Sequence, residues 1–85
     1  MPEISRFLGI IIAMFYNDHD PPHFHAVYDD QNGSIEIKTK KISGNLSSRI
    51  QEIVLEWLGL NEQALLENWE LAKARKPLNK IKPLE

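Results

Sequence analysis

The first half of the chain alternates apolar runs with short polar segments, as a sheet of strands does. Phe7–Tyr16 is rich in β-branched and aromatic residues, which predicts a strand that is covered on both faces. His23–Tyr28 predicts a second strand, antiparallel to the first, after a loop over Asn17–Pro22. In Ser34–Thr39 isoleucines alternate with charged residues, so we expect a third strand with one buried face. The segment Asp29–Ser34 predicts the hairpin turn before it, with the dipeptide Asn32-Gly33 as the strongest signal.

The second half changes to a helical period. Ser48 and Gln51 fit a capping box at the start of a first helix, which Gly59 would end. A second helix, capped by Asn61, is predicted over Glu62–Ala74. The apolar residues recur at the spacing of one helix face, and they are Ile50, Ile53, Val54, Trp57, Leu65, Trp69 and Ala72.

Together these elements predict a two-layer α+β fold of order β-β-β-α-α. A three-stranded antiparallel sheet would be followed by two helices packed on one face, the face that carries Ile35 and Ile37. The two tryptophans, Trp57 and Trp69, would be buried between the layers. A length of 85 residues suits one domain, 1–85.

Composition limits the class of protein. There is no cysteine, which excludes disulfides and thiolate metal sites and favours a cytoplasmic location. We expect no signal peptide, because Met1–Phe7 carries Glu3 and Arg6, and the longest apolar run is far shorter than the ~20 residues of a membrane span. The net charge of −2 provides no general attraction to nucleic acid.

Positive charge is nevertheless concentrated in two places. Residues 77–85 are expected to form a basic C-terminal tail, whose apolar side chains Ile81 and Leu84 either pack on the domain or bind a partner. The candidate contacts to phosphate or to a partner protein are Lys38, Lys40, Lys41, Arg75, Lys76, Lys80 and Lys82. DNA reading by the helix pair is not expected, because Glu62, Glu67 and Glu70 would repel phosphates.

All three histidines lie within nine residues, from Asn17 to His25. His23 and His25 are two positions apart in a predicted strand, so they share a face with Cα atoms about 6.5–7 Å apart. Such a pair could act as general acid and base near neutral pH, with His19 as a third candidate. Asp18 and Asp20 could orient an imidazole or supply a ligand.

Two other interpretations of these histidines remain open. The first is structural or partner-contacting histidines. The second is a divalent metal such as zinc held by His19, His23 and His25, although a bare His-x-His is weak evidence for metal. Otherwise the sequence predicts no cofactor, and it leaves open whether the protein is an enzyme.

Three segments of the chain resemble a family of small prokaryotic proteins, the domain of unknown function 4160. They are Met1–Phe7, Asp18–Ala26 with its Pro-Pro-His-Phe-His core, and Glu67–Ala72. The resemblance covers nearly the whole chain, and it implies no established activity. It does imply a two-gene module similar to toxin–antitoxin pairs, in which the neighbouring gene encodes a small protein of the family numbered 2442.

Two main functions are therefore expected from different classes. One is a toxin-like effector that acts on RNA through the histidines. The other is a non-catalytic module that binds a partner protein, and a homodimer is compatible with either. A small metal-binding protein is a further alternative.

Overall fold

A computed structural model describes residues 2–16 and 18–84, so Asn17 of the predicted loop and Glu85 of the predicted tail lie outside the described residues, as does Met1. The fold is α+β, with five strands and one helix in the described part of the chain. The elements are β1 Glu3–Phe7, β2 Ile10–Ala13, β3 His23–Tyr28, β4 Gln31–Glu36, β5 Ile42–Gly44 and α1 Ser48–Lys73. All neighbouring strands are antiparallel, in the order β1-β2-β3-β4-β5. The prediction of three strands and two helices was therefore wrong.

The predicted first strand contains a turn. Leu8 and Gly9 have φ of 52° and 81°, and they reverse the chain between β1 and β2. Glycine adopts this left-handed conformation at little cost, and the turn leaves Leu8 exposed. The segment Phe7–Tyr16 therefore contains the turn of a hairpin and not one continuous strand. The hydrophobic pattern did not predict this turn, because Leu8 is apolar like the strand residues on either side.

The hairpin turn lies within the predicted segment Asp29–Ser34, but not at Asn32-Gly33. The chain turns at Asp29 and Asp30, with Asp29 at φ 51°, and β4 begins at Gln31 rather than at Ser34. Gly33 lies inside β4, where β5 approaches so closely that a Cβ would stand 2.6 Å from the carbonyl oxygen of Ser43. Glycine is needed there for close backbone contact, not for a turn.

One kinked helix replaces the two predicted helices. Gly59 does not end α1, and Asn61 has non-helical torsion angles of φ −132° and ψ 22° within it. The Asn61 Nδ2 donates to the carbonyl oxygen of Trp57 at 2.9 Å, so the side chain bonds back into the preceding turn at the kink. The N-cap is Ser47, one residue earlier than predicted, and its Oγ accepts from the Ile50 amide.

The helix and the sheet share one buried apolar cluster. Trp57 and Trp69 are 0% and 1% exposed, which confirms their predicted burial. The Trp57 ring lies 5.3 Å from that of Phe7 and 5.7 Å from that of Phe24, so it joins the helix to β1 and β3. The residues Ile35 and Ile37 belong to the same cluster.

The C-terminal segment 77–84 packs back on the domain. Ile81 is 7% exposed and its amide donates to the carbonyl of Ile4 in β1 at 2.8 Å. The buried Asn68 side chain donates to the Asn79 carbonyl and accepts from the Asn79 amide. Of the two alternatives for the tail, the structure shows packing. No helix in residues 2–16 and 18–84 is long and apolar enough to cross a membrane.

Candidate functional site

Three of the predicted site residues converge where β3 begins. Asp18 Oδ2 lies 2.9 Å from His23 Nε2 and 3.5 Å from His25 Nε2. The centroids of the two imidazole rings are 5.3 Å apart, and the ring planes meet at 69°. Asp18, His23 and His25 each offer one potential ligand atom, and these three atoms all lie within 4.8 Å of one another. The side chains are 20%, 15% and 30% exposed for Asp18, His23 and His25, so the group is sheltered but reachable from solvent.

Strand geometry places the histidines, and the loop brings the carboxylate to them. His23 and His25 alternate along β3 with the buried Phe24 and Ala26, so they share the opposite face, as predicted. Next to them, the rings of Phe15 and His25 make an edge-to-face contact, with centroids 4.6 Å apart and planes at 76°. The loop that follows β2 then returns Asp18 to the two imidazoles.

The hydrogen bonds of His23 determine which of its nitrogens carries a proton. Its Nδ1 lies 2.8 Å from the carbonyl oxygen of Pro21, an atom that can only accept, so Nδ1 is the donor. In a neutral ring Nε2 then presents a lone pair. Nε2 nevertheless faces a carboxylate oxygen of Asp18 at 2.9 Å. Two lone pairs at that distance repel unless a cation, either a proton or a metal ion, lies between them.

The Asp18 carboxylate is stabilised in its ionised form. Burial alone would raise its pKa, but the charge of His23, the hydrogen bond with His25 and the backbone amide of His19 together hold the pKa of Asp18 below its usual value. Near neutral pH it is therefore an anion without a hydrogen to donate.

The remaining loop residues are placed elsewhere. The His19 side chain is 95% exposed and its Nδ1 lies 3.8 Å from Asp18 Oδ1, on the other carboxylate oxygen. Asp20 Oδ1 accepts a hydrogen bond from Trp69 Nε1 at 3.2 Å. The structure thus brings together His23, His25 and Asp18, and it leaves His19 in solvent and Asp20 bonded to the helix.

The candidate basic residues have contacts of their own. Lys40 pairs with Glu62 at 3.5 Å, and Lys80 Nζ donates to the carbonyl oxygen of Glu3 at 2.7 Å. All seven candidates are exposed, these two together with Lys38, Lys41, Arg75, Lys76 and Lys82. The contacts of Lys40 and Lys80 are with residues outside the histidine site.

Sequence reasoning missed two groups that shape the site. One is the Pro21 carbonyl that orients His23, and the other is Trp69, whose ring lies 5.2 Å from that of His23. The Pro-Pro dipeptide signals a stiff loop but not the direction of a carbonyl. Trp69 is 46 positions from His23 in the sequence, and a helical pattern does not say which strand end a tryptophan meets.

Comparison with known proteins identifies one family. The family model described as "Domain of unknown function (DUF4160)" matches residues 9–70, a range that contains Asp18, His23, His25 and Trp69. No curated protein and no solved structure matches the chain. The match names no activity, so an argument about function rests on the geometry.

Proposed function

We propose that this chain, which belongs to the DUF4160 family, binds a divalent transition-metal ion through Asp18, His23 and His25. The observation that carries the proposal is the position of His23 between two acceptors. Its Nδ1 is committed to the Pro21 carbonyl and its Nε2 faces the ionised Asp18. A metal ion on Nε2 would satisfy both groups at once.

The donor set suits such an ion. Two imidazoles and a carboxylate are typical of zinc and of non-haem iron. The contacts of Asp18 to His23 and His25, 2.9 and 3.5 Å, bracket the ~3.3 Å between ligands of a tetrahedral ion with bonds of ~2.0–2.1 Å. A backbone carbonyl that accepts from the distal imidazole nitrogen is the usual support of a histidine ligand, and Pro21 provides it.

Three protein ligands leave at least one coordination position for water or substrate, as catalytic rather than structural sites do. A zinc ion held by these three residues would supply Lewis acidity and lower the pKa of a water molecule bound to it. The chain's own contribution would be to hold both imidazoles and the carboxylate on one side of the ion, and to shelter that side with Phe15.

A second candidate function follows from the same observation if the cation is a proton. His23 would then be an imidazolium paired with Asp18, and His25 beside it could accept a proton from a substrate. Cleavage of RNA through its 2′-hydroxyl would use such a pair without metal. A toxin–antitoxin-like partnership with a neighbouring gene product stays a prediction, which co-expression followed by size-exclusion chromatography would test.

Calorimetric titration of the protein with Zn²⁺, after dialysis against a chelator, tests the metal proposal. We expect one ion per chain. Asp18→Asn, His23→Gln and His25→Gln should each weaken binding by more than about 100-fold, since even an outer-shell substitution costs about 10–100-fold. His19→Gln is the matched control, because His19 belongs to the same loop but is 95% exposed.

Two results would contradict the metal proposal. One is equal weakening in His19→Gln and His23→Gln, which would indicate non-specific binding by histidines. The other is absence of Zn²⁺, Fe²⁺ and Co²⁺ binding in the unsubstituted chain. RNA cleavage that persists in excess chelator and disappears in His25→Gln would then support the acid–base function instead.

A further inference from the structure

Asp20 contacts the helix rather than a histidine. Its Oδ1 accepts a hydrogen bond from Nε1 of Trp69 at 3.2 Å. Asp20 is exposed, whereas Trp69 is 1% exposed. Because a buried indole N–H is costly to leave without an acceptor, this bond favours one position of the loop relative to α1.

The same tryptophan also contacts a candidate ligand. Its ring centroid lies 5.2 Å from that of His23, with the planes tilted by 49°. Asp20 is only two residues after Asp18, so fixing Asp20 restricts where the Asp18 carboxylate can lie. Trp69 therefore contacts both parts of the site. Its Nε1 donates to the loop that carries Asp18, and its ring packs against the imidazole of His23.

We infer that the Asp20–Trp69 hydrogen bond positions the candidate metal ligands, by holding the loop with Asp18 against His23 and tying occupancy of the site to the docking of α1. Asp20 and Trp69 are positioning residues that act through Asp18 and His23. The metal readout of this inference rests on the proposed function. Loss of a partner that hydrogen-bonds a ligand directly weakens metal binding by about 10–100-fold, and because Asp20 acts through Trp69 and the loop, we expect a loss of about tenfold, at the lower end of that range.

A charge-matched pair of substitutions separates the bond from the charge of Asp20. Asp20→Ala removes both, while Asp20→Asn removes the charge but keeps the Oδ1 acceptor for Trp69. In Zn²⁺ titrations, Asp20→Ala should weaken binding by about tenfold, the lower end of the range for partners of metal ligands, and Asp20→Asn should restore most of that loss. Asp30→Ala, in the exposed turn before β4, is the control for removing a surface carboxylate and should leave binding unchanged.

A second readout needs no metal. Because the centroids of the Trp69 and His23 rings are 5.2 Å apart, the ring current of Trp69 should shift the NMR resonances of the His23 ring protons. Asp20→Ala should move these resonances towards ordinary histidine values, and Asp20→Asn should not. If the unsubstituted chain binds no metal, the proposed function fails and this readout alone decides the inference.

Three outcomes would overturn the positioning inference. Asp20→Ala could bind Zn²⁺ as tightly as the unsubstituted chain, which would leave the bond a structural contact only. Asp20→Asn could be as weak as Asp20→Ala, which would assign the effect to charge. The His23 resonances could be the same in both variants, which would show that Asp20 does not fix the contact between the rings.

Discussion

The docking of the C-terminal segment can be tested at Asn68. This side chain is 0% exposed, and its amide makes two hydrogen bonds to the backbone of Asn79, at 2.8 and 2.9 Å. Asn68→Ala removes both bonds and leaves a small cavity. Because Asn79 takes part only through its backbone in these two bonds and is exposed, Asn79→Ala should preserve them and is the matched control.

The magnitude follows from the two bonds. Each intramolecular hydrogen bond contributes about 0.5–1.5 kcal/mol net, so their loss amounts to about 1–3 kcal/mol. Asn79 is an exposed residue, so its two backbone groups should regain water in Asn68→Ala, and we do not expect the larger cost of buried polar groups without partners. Against a total stability of about 4–13 kcal/mol for a chain of 85 residues, Asn68→Ala should be plainly measurable.

Urea unfolding followed by tryptophan fluorescence is a suitable assay, since Trp57 and Trp69 are both buried. With a slope of about 1–3 kcal/mol/M, the midpoint should fall by about 1 M in Asn68→Ala. Asn79→Ala should stay within about 0.5 kcal/mol of the unsubstituted chain. An equal loss in both variants, or a loss below about 0.5 kcal/mol in Asn68→Ala, would refute the docking argument.

Three further predictions concern stability. Trp69→Ala should cost about 3–5 kcal/mol in the same urea assay, as emptying a buried aromatic site usually does; a loss under ~1 kcal/mol would contradict its burial. The pKa of Asp18 is lowered by folding, so its stabilising contribution is present above the unfolded pKa and lost as pH falls through the folded pKa; urea midpoints of Asp18→Asn and the unsubstituted chain should therefore converge in acid. Gly59→Ala should stabilise the fold by roughly 0.5–1 kcal/mol, because a Cβ at residue 59 would have no atom within 4 Å. Gly33→Ala should destabilise it by about 1–3 kcal/mol, because a Cβ there would stand 2.6 Å from the Ser43 carbonyl oxygen. Thermal melts that rank the two variants in the opposite order would contradict this geometry.

Local pattern was sufficient where burial and period agreed. The bounds of β3, His23–Tyr28, were predicted because Phe24 and Ala26 face the core and the histidines do not. Trp57 and Trp69 were placed in the core by the spacing of the apolar residues. In these cases the side chain's own environment determines its position, so neighbours in the sequence carry the information.

Turns and edges depended on contacts with distant segments. Gly33 lies in a strand and not in a turn because β5 pairs beside it. A Cβ at residue 33 would stand 2.6 Å from the Ser43 carbonyl oxygen of β5. Strand β5 was itself missed, because Ile42–Gly44 has three residues and gains its stability from pairing with β4. A sequence pattern cannot report a partner strand that has not yet been identified.

The candidate site combines both situations, and this determines which substitutions are informative. His23 and His25 share a face because of strand geometry alone. Their partner Asp18 lies on a loop, which is bonded to Trp69 through Asp20. A change at Trp69 disturbs core packing and the site together, so its effect on metal binding cannot be separated from its effect on folding. Asp20 is exposed and reaches the site through one hydrogen bond, so Asp20 is the position at which placement of the ligands can be altered while the core remains packed.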